Sequence, residues 1–330
     1  MVMTTQDHQA KAQSYSFRFR AMNTEIEAFV FCTEEQVAPT QRLVFDWFQA
    51  AERRFSRFLP ASELSYLNRL TGQTCLVSEA MLEVLLLAES YTRLTEGIFQ
   101  PLILKALEQS GYNQSFELME HGPNYRIQLT ADRTQANDDL RIVTNSSMKS
   151  VLLPTDAKMD LGGIVKSWAV KRLAGWLQKQ HGLQSGMINA GGDLAVWGRP
   201  DGGSGAWRIG IENPWKADQV IGILALDHGA VATSSKLGRQ WDTEHGKMHH
   251  LIDPRSMRPS ESDVLQCTVT GEDVLECEIW SKVICILGYE EGAALFTKKT
   301  SGYEALVFTE KGEVHKIGEL ENFQGGDNIG

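Results

Sequence analysis

Hydrophobic and polar residues alternate over residues 15–31, a pattern that predicts one or two β-strands. A helical period follows in residues 37–58 and places several aromatic residues on one face. Thr33 and Gln36 precede this run with the spacing of a capping box. The chain is therefore expected to begin with strands and a long amphipathic helix.

The same helical period recurs in three later segments, each ended by a glycine, the residue that most readily takes the left-handed conformation after a helix. These segments are residues 79–96 after a capping Ser78, 165–181 and 276–287, and they end at Gly97, Gly182 and Gly288. Short strands are predicted at 125–130, 141–145, 186–191, 193–198, 207–212, 221–227 and 229–234, with a closing hairpin of 304–310 and 314–318. Strands in hairpin-like runs with a few long helices indicate the α+β class.

Composition narrows the class of protein. The chain has 330 residues, 42% of them hydrophobic and 22% charged, which is typical of a globular protein, and its length alone suggests about two domains. A net charge of -10 argues against a nucleic-acid partner. The sequence has no apolar run long enough for membrane insertion, no secretory leader pattern, and five scattered cysteines that fit neither a disulfide framework nor a zinc site. We expect a cytoplasmic protein.

A predicted strand-to-helix turn combines an acidic residue, a glycine pair and a lysine. Asp160 precedes Gly162 and Gly163, and Lys166 follows on the helix. The spacing matches neither a Walker loop nor a dinucleotide fingerprint. Glycine backbone at a helix N-terminus can nevertheless approach an anion closely. The segment is a candidate phosphate site, and a plain glycine-rich turn is the alternative.

Two further segments carry candidate chemistry. A second glycine pair, residues 191–192, permits either a close approach by a ligand or a β-bulge. His249, His250, Asp253 and Arg255 lie close together in the chain, which suits proton transfer and phosphate binding. A hydrogen-bonded loop network has the same composition, so each segment alone leaves both interpretations open.

Taken together, six segments resemble motifs of the ApbE family. In chain order they are AMNTEIEA, RRFSRFLPASELSYLNR, DLGGIVKSWAV, INAGGDL, VATSS and HHLIDPRSMRP. The resemblance implies one α+β domain related to the T-fold, with largely antiparallel sheets and a few long helices, over residues 15–318 in place of two domains. We expect residues 1–14 to be a disordered N-terminus and residues 319–330 a flexible tail.

The family consists of FAD:protein FMN transferases, so the resemblance implies that the phosphates are those of FAD. Members bind FAD and magnesium, transfer FMN to a Thr or Ser hydroxyl of a partner flavoprotein, and release AMP. Catalysis of such a transfer rests mainly on positioning and charge stabilisation. Two alternatives stay open: a FAD pyrophosphatase that yields FMN and AMP, and a non-catalytic FAD-binding protein that has lost its metal site.

The resemblance also assigns residues to the site. The expected FAD contacts are Met22, Phe58, Ile98, Phe99, Gln100, Asp160, Lys166 and Ile252. Phe58 stands where the family has an adenine-stacking tyrosine. His250, beside Asp253, is expected to titrate near neutrality and to activate the acceptor hydroxyl.

The expected magnesium site departs from the family pattern. Gly163 and Glu278 are candidate metal ligands, but Lys282 stands where the family has a threonine ligand. Glu278 and Lys282 are four residues apart and meet on one helix face. An ammonium group repels a dication, so we expect Lys282 to supply the positive charge itself and magnesium dependence to be weak; a surface ion pair is the alternative. Asn23 in place of glycine and Gln100 in place of aspartate are further departures.

Overall fold

The structure is a computed structural model that describes residues 12–116, 118, 141–200, 203, 205–243 and 246–325. The strands are β1 (Gln13–Ala21), β2 (Thr24–Cys32), β3 (Thr74–Leu76), β4 (Val143–Asn145), β5 (Ser150–Leu152), β6 (Gly186–Ala190), β7 (Asp193–Trp197), β8 (Trp207–Glu212), β9 (Val220–Leu226), β10 (Gly229–Ser235), β11 (Gln240–Thr243), β12 (Gly246–His249), β13 (Ile252–Asp253), β14 (Arg258–Pro259), β15 (Val264–Gly271), β16 (Glu304–Thr309), β17 (Val314–Ile317) and β18 (Phe323–Gly325). The helices are α1 (Glu34–Phe55), α2 (Glu63–Arg69), α3 (Glu79–Leu94), α4 (Leu104–Gln109), α5 (Val165–Lys179), α6 (Val274–Leu287) and α7 (Tyr289–Lys299).

The main sheet has eight strands in the order β1-β2-β6-β7-β10-β15-β16-β17, and every neighbouring pair is antiparallel. A three-stranded sheet, β18-β9-β8, forms a second layer, and β3-β5-β4 forms a small separate sheet. β11 pairs with β12, and β13 pairs with β14. The predicted α+β class with largely antiparallel sheets is confirmed.

Helices cover one face of the main sheet and enclose the larger hydrophobic core. α6 is the central helix: it packs on β10 and β15 and contacts α5 and α7, and for this reason nearly all of its sides are apolar. Trp280 on α6 is fully buried and meets Phe296 on α7 edge to face at 5.7 Å. α5 packs against β6 and β7, which fixes its N-terminus near the strand ends.

The opposite face of the main sheet packs on the β18-β9-β8 sheet. Leu194 and Val231 from the main sheet meet Trp207, Leu224 and Phe323 in this second core. Gly222 on β9 makes the contact possible, because a Cβ there would lie 2.3 Å from the ring of Phe323. The segment expected to be a flexible tail therefore includes the strand β18 and the buried side chains of Leu320 and Phe323. β1 likewise begins at Gln13, and the domain boundaries stay a prediction.

The helices named from the sequence period are present with small shifts at their ends. Gln36 Oε1 accepts a hydrogen bond from the Thr33 backbone at 3.0 Å, as the capping box requires, and Ser78 Oγ accepts one from Met81 N–H. Three short or surface helices, α2, α4 and α7, were not predicted. The strand expected at 125–130 lies outside the described residues.

Two expectations from composition can be compared with the structure. All five cysteines are free and buried, in keeping with small hydrophobic side chains rather than disulfides. Within the described part of the chain, no helix combines the length and apolar character needed to cross a membrane.

Candidate functional site

A cleft of about 910 Å³ opens where the β1–β2 turn, the start of α5 and the β10–β13 region converge. Its volume lies in the range of roughly 300–1,000 Å³ that is usual for small-molecule sites. All the predicted FAD contacts line it: Met22, Phe58, Ile98, Phe99, Gln100, Asp160, Lys166 and Ile252. Gly163, His250, Glu278 and Lys282 line it as well, whereas Asp253 is not among its lining residues.

The β1–β2 turn places Met22 at the rim of the cleft. Met22 and Asn23 both have left-handed backbone, with φ of 54° and 57°, as a two-residue hairpin turn requires. Asparagine tolerates this conformation better than most residues, which explains how Asn23 replaces a glycine here. Next to the turn, a Cβ on Gly191 would lie 1.9 Å from Thr24 Oγ1, so the second glycine pair packs directly against this hairpin.

The start of α5 is held by Asp160. Its Oδ1 accepts a hydrogen bond from Gly162 N–H at 2.8 Å, and its Oδ2 lies 2.8 Å from Arg57 Nε. A Cβ on Gly163 would meet Lys282 Cε at 3.3 Å and the Phe99 ring at 3.4 Å. Gly163 thus lets a lysine and an aromatic ring approach the helix N-terminus closely.

One wall of the cleft is aromatic. The Arg57 guanidinium lies 4.1 Å from the centre of the Phe58 ring and 4.5 Å from that of Tyr112. Tyr112 stacks on Trp241 with ring centres 5.3 Å apart, and Arg57 Nη2 donates to the Tyr112 carbonyl at 2.8 Å. Sequence reasoning assigned Phe58 to this wall and missed Arg57 and Tyr112, together with Trp241, which supports Tyr112 without lining the cleft. The position of Arg57 between two aromatics in FSRF was the available signal.

Another wall carries two buried ion pairs. Lys166 Nζ lies 2.8 Å from Asp193 Oδ2 and 3.9 Å from Glu278 Oε1. Lys282 Nζ donates to the same Glu278 oxygen. Ser167 Oγ donates to Asp193 at 2.7 Å. Asp193 belongs to the INAGGDL segment, but no role was predicted for it from the sequence. A carboxylate at the start of the otherwise apolar strand β7 was the sequence feature that could have indicated one.

These carboxylates are shielded from solvent. The side chain of Glu278 is 2% exposed and that of Lys282 is 16% exposed, so the alternative of a surface ion pair is wrong. Burial raises the pKa of Glu278, and the nearby Asp193 carboxylate adds to this, while the Lys282 and Lys166 ammonium groups oppose it. The cluster balances two buried negative charges with two lysines.

The expectation that His250 titrates near neutrality beside Asp253 is corrected by the structure. Asp253 accepts hydrogen bonds from the backbone and guanidinium of Arg255 and belongs to that loop. Burial, reinforced by the positive charges of Arg239 and Lys282, lowers the pKa of His250 well below its ordinary value. His250 Nδ1 is shielded and has no hydrogen-bond partner in the described residues. The His250 residue lines the cleft, but this nitrogen itself is buried.

The donor set does not fit a divalent cation. Within the described ranges, no three His, Cys, Asp or Glu side chains are grouped so that they could hold a metal ion. Of the two predicted ligands, Glu278 accepts a hydrogen bond from Lys282, and the Lys282 side chain fills the space beside Gly163, where an added Cβ would lie 3.3 Å from Lys282 Cε. A cation placed between them would meet an ammonium group already bonded to the carboxylate. Magnesium provides Lewis-acid and charge stabilisation where it is bound, but these residues do not fit it.

Fold and cleft together define an α+β protein with a glycine-rich helix start, paired lysines and an aromatic wall. The ApbE family model matches residues 22–307, and the chain belongs to the ApbE family. Proteins named FAD:protein FMN transferase are similar to it. One from Klebsiella pneumoniae is 30% identical over 43% of either chain. One from Vibrio cholerae is 27% identical over 73% of this chain and 71% of its own length. One from Escherichia coli K12 is 24% identical over 73% of this chain and 68% of its own length.

Solved structures give the same fold. The ApbE protein from Thermotoga maritima superimposes with a TM-score of 0.78 at 22% identity, covering 92% of this chain and 97% of its own. The flavinyl transferase ApbE from Pseudomonas stutzeri gives 0.77 at 19% identity, with 96% of both chains covered. The Klebsiella pneumoniae relative is matched over less than half of its length. The two solved structures, in contrast, share the fold over nearly the whole chain.

Proposed function

We propose that this protein transfers FMN from FAD to a Thr or Ser hydroxyl of a partner flavoprotein and releases AMP. The observation that carries the proposal is the pairing, within one cleft, of an aromatic wall with a two-lysine cluster beside a glycine-rich helix start. FAD has the matching parts, two flat ring systems joined by a diphosphate. The similarity to proteins named FAD:protein FMN transferase supports the same assignment.

Binding would use both kinds of wall. Phe58, which is half-buried and held by the Arg57 guanidinium, offers a stacking surface for a ring system of FAD, and Tyr112 packs beside it. The diphosphate would lie against Lys166, Lys282 and the amide groups at the start of α5, where the helix dipole favours negative charge. Met22 and Phe99 line the remaining apolar surface.

The transfer step makes one bond and breaks one. The acceptor hydroxyl oxygen attacks the phosphorus of the FMN half, and the bond from that phosphorus to the bridging oxygen breaks. The bridging oxygen and its electron pair leave with AMP. The hydroxyl proton passes to the neutral imidazole of His250, which lines the cleft. The lysines offset the charge that develops on the leaving phosphate.

The experiment is an FMN transfer assay with FAD and an acceptor flavoprotein that carries a Thr/Ser flavinylation motif. AMP is followed by chromatography, and covalent flavin on the acceptor by fluorescence after denaturing electrophoresis. We expect AMP and flavinylated acceptor in equal amounts, and none with an acceptor whose target hydroxyl residue is replaced by alanine.

Other products would point to the two alternatives. AMP with free FMN and no labelled acceptor would identify a FAD pyrophosphatase. Tight FAD binding without AMP in the presence of several acceptors would identify a binding protein. Either result contradicts the transferase assignment.

A further inference from the structure

The position of Lys282 determines which charge faces a bound diphosphate. Its ammonium group donates to Glu278, and its terminal carbons lie against Gly163, where an added Cβ would be only 3.3 Å from Lys282 Cε. These are the two residues between which a divalent cation would have to bind. A metal at that place therefore competes with Lys282 for the Glu278 carboxylate and for the space beside Gly163.

Displacing the lysine is unfavourable because Glu278 is buried. Lys166 lies between Asp193 and Glu278, and Lys282 pairs with Glu278. The two lysines therefore already neutralise the two carboxylates. A dication would add two charges beside two ammonium groups in a poorly hydrated place. Like-charge repulsion at about 4 Å makes this cost about a hundredfold or more in metal affinity.

We propose that Lys282, together with Lys166, takes the place of a divalent cation, so that this protein binds the diphosphate of FAD and transfers FMN without a metal ion. The proposal rests on the proposed function for the identity of the ligand. The statement that the Lys282 side chain occupies the cation position applies to the flavin-free protein and does not depend on the ligand.

The two ammonium groups have donors to spare. A lysine carries three N–H groups. Lys282 directs one to Glu278, and Lys166 meets Asp193 at 2.8 Å and Glu278 at the longer 3.9 Å. Both side chains line the cleft, which leaves N–H groups free to reach diphosphate oxygens. Glu278 then holds Lys282 in place rather than binding a metal.

Metal binding is tested first on the flavin-free protein. Mn²⁺ is titrated while the free ion is followed by electron paramagnetic resonance. We expect no specific Mn²⁺ site in the unchanged protein. The double variant Lys282→Thr with Glu278→Asp removes the ammonium group and should gain one Mn²⁺ site. Its affinity for Mn²⁺ should be about a hundredfold or more higher than that of the unchanged protein. A tight one-to-one Mn²⁺ site in the unchanged protein would overturn the proposal.

FAD binding is then measured by calorimetry in EDTA and in magnesium. The unchanged protein should have the same affinity in both, whereas Lys282→Met should lose about tenfold or more in EDTA. Lys171→Met is the matched control: Lys171 is a half-exposed lysine on α5 paired with Asp273, outside the cleft, and its loss should leave FAD affinity unchanged. Circular dichroism checks that each variant folds.

The outcomes separate this proposal from the proposed function. FAD affinity in the unchanged protein that falls tenfold or more when EDTA replaces magnesium would contradict the replacement of metal by Lys282. Metal-independent FAD binding without any transfer to an acceptor would support the replacement and contradict the transferase assignment. The Mn²⁺ titration needs no flavin, so it decides the first question alone.

Discussion

Arg57 Nε and Asp160 Oδ2 lie 2.8 Å apart in a buried ion pair that joins the end of α1 to the start of α5. The same guanidinium lies against Phe58 and Tyr112, and the same carboxylate binds the Gly162 amide. One side-chain pair therefore fixes both the aromatic wall and the glycine turn of the cleft.

Replacing Arg57 by methionine should destabilise the protein strongly. The substitution leaves the Asp160 carboxylate buried without its partner, which typically costs about 3–5 kcal/mol. Urea unfolding measures the effect, and Arg42→Met is the control, because Arg42 and Asp46 form an exposed pair on α1 worth about 1 kcal/mol or less. Equal effects of the two substitutions would show that the Arg57–Asp160 pair contributes no more than a surface pair.

Gly191→Ala should disturb the cleft more than an alanine at a glycine with the same backbone. Gly191 and Gly182 have φ of +62° and +65°, so both substitutions carry a backbone cost of about 1–2 kcal/mol. Only at Gly191 does the new methyl group meet Thr24, whereas Gly182 has nothing within 4 Å. We expect FAD affinity to fall about tenfold or more for Gly191→Ala alone, measured by fluorescence titration. Identical affinities in both variants would argue against a role for this turn in binding.

His250→Ala should stop AMP release while FAD affinity changes by less than about threefold. Because burial and neighbouring positive charges lower the pKa of His250 well below its ordinary value, protonation of its ring should not slow transfer as the pH falls from 7.5 towards 6. Initial rates across this range, with His181→Ala as the control for a histidine outside the cleft, provide the check. The lowered pKa of His250 would be contradicted if the transfer rate of the unchanged protein halved near pH 6.5 and His250→Ala had no activity.

His249 should make the fold sensitive to acid. Its ring is neutral when folded: Nε2 donates to the Ser260 carbonyl at 3.0 Å, and Nδ1 accepts from Leu251 N–H. Burial lowers the pKa of His249 from 6.5 to about 4. The unfolded chain therefore binds the proton first, so this contribution is complete above pH 6.5 and is lost as the pH falls towards 4.

The expected loss of unfolding free energy is on the order of 2–3 kcal/mol. Urea denaturation at pH 7.5 and pH 4.5 gives the value. His249→Gln should reduce the difference between the two pH values by about this amount, while the part due to His250, whose pKa burial also lowers, remains. If the free energy of unfolding of His249→Gln fell with pH as much as that of the unchanged protein, the acid sensitivity would come from groups other than His249.

The sequence predicted the elements whose signals are local. The α1 cap, the glycine ends of α3 and α6, and the hairpin of β16 and β17 depend on neighbouring residues, and all are present. α7 was missed because it follows Gly288 directly and continues after what looks like a helix end. The strand β18 was missed because its short sequence is stabilised by packing on β9 rather than by its own pattern.

The site shows the same division. Motif residues such as Met22, Asp160 and Lys166 line the cleft as predicted, although their roles stay predictions. Arg57 and Asp193 were missed because their importance comes from partners more than twenty residues away in the chain. The pKa of His250 was misjudged for a related reason: spacing suggested Asp253 as a neighbour, but folding brings Arg239 and Lys282 to the ring instead.

The pairing of β2 with β6 also bears on how fast the cleft can form. Asn189 Nδ2 donates to Glu27 Oε2 at 3.2 Å across a sequence separation of 162 residues, and the turn at Thr24 meets Gly191 at the end of the same ladder. Closing so large a loop loses chain entropy before any contact compensates for it, and sheets built from distant segments fold slowly. The β1–β2 hairpin can form early by itself, but the cleft has to wait until β6 joins it. During refolding, FAD-binding capacity should therefore appear in a late kinetic phase, after most of the helical signal has returned.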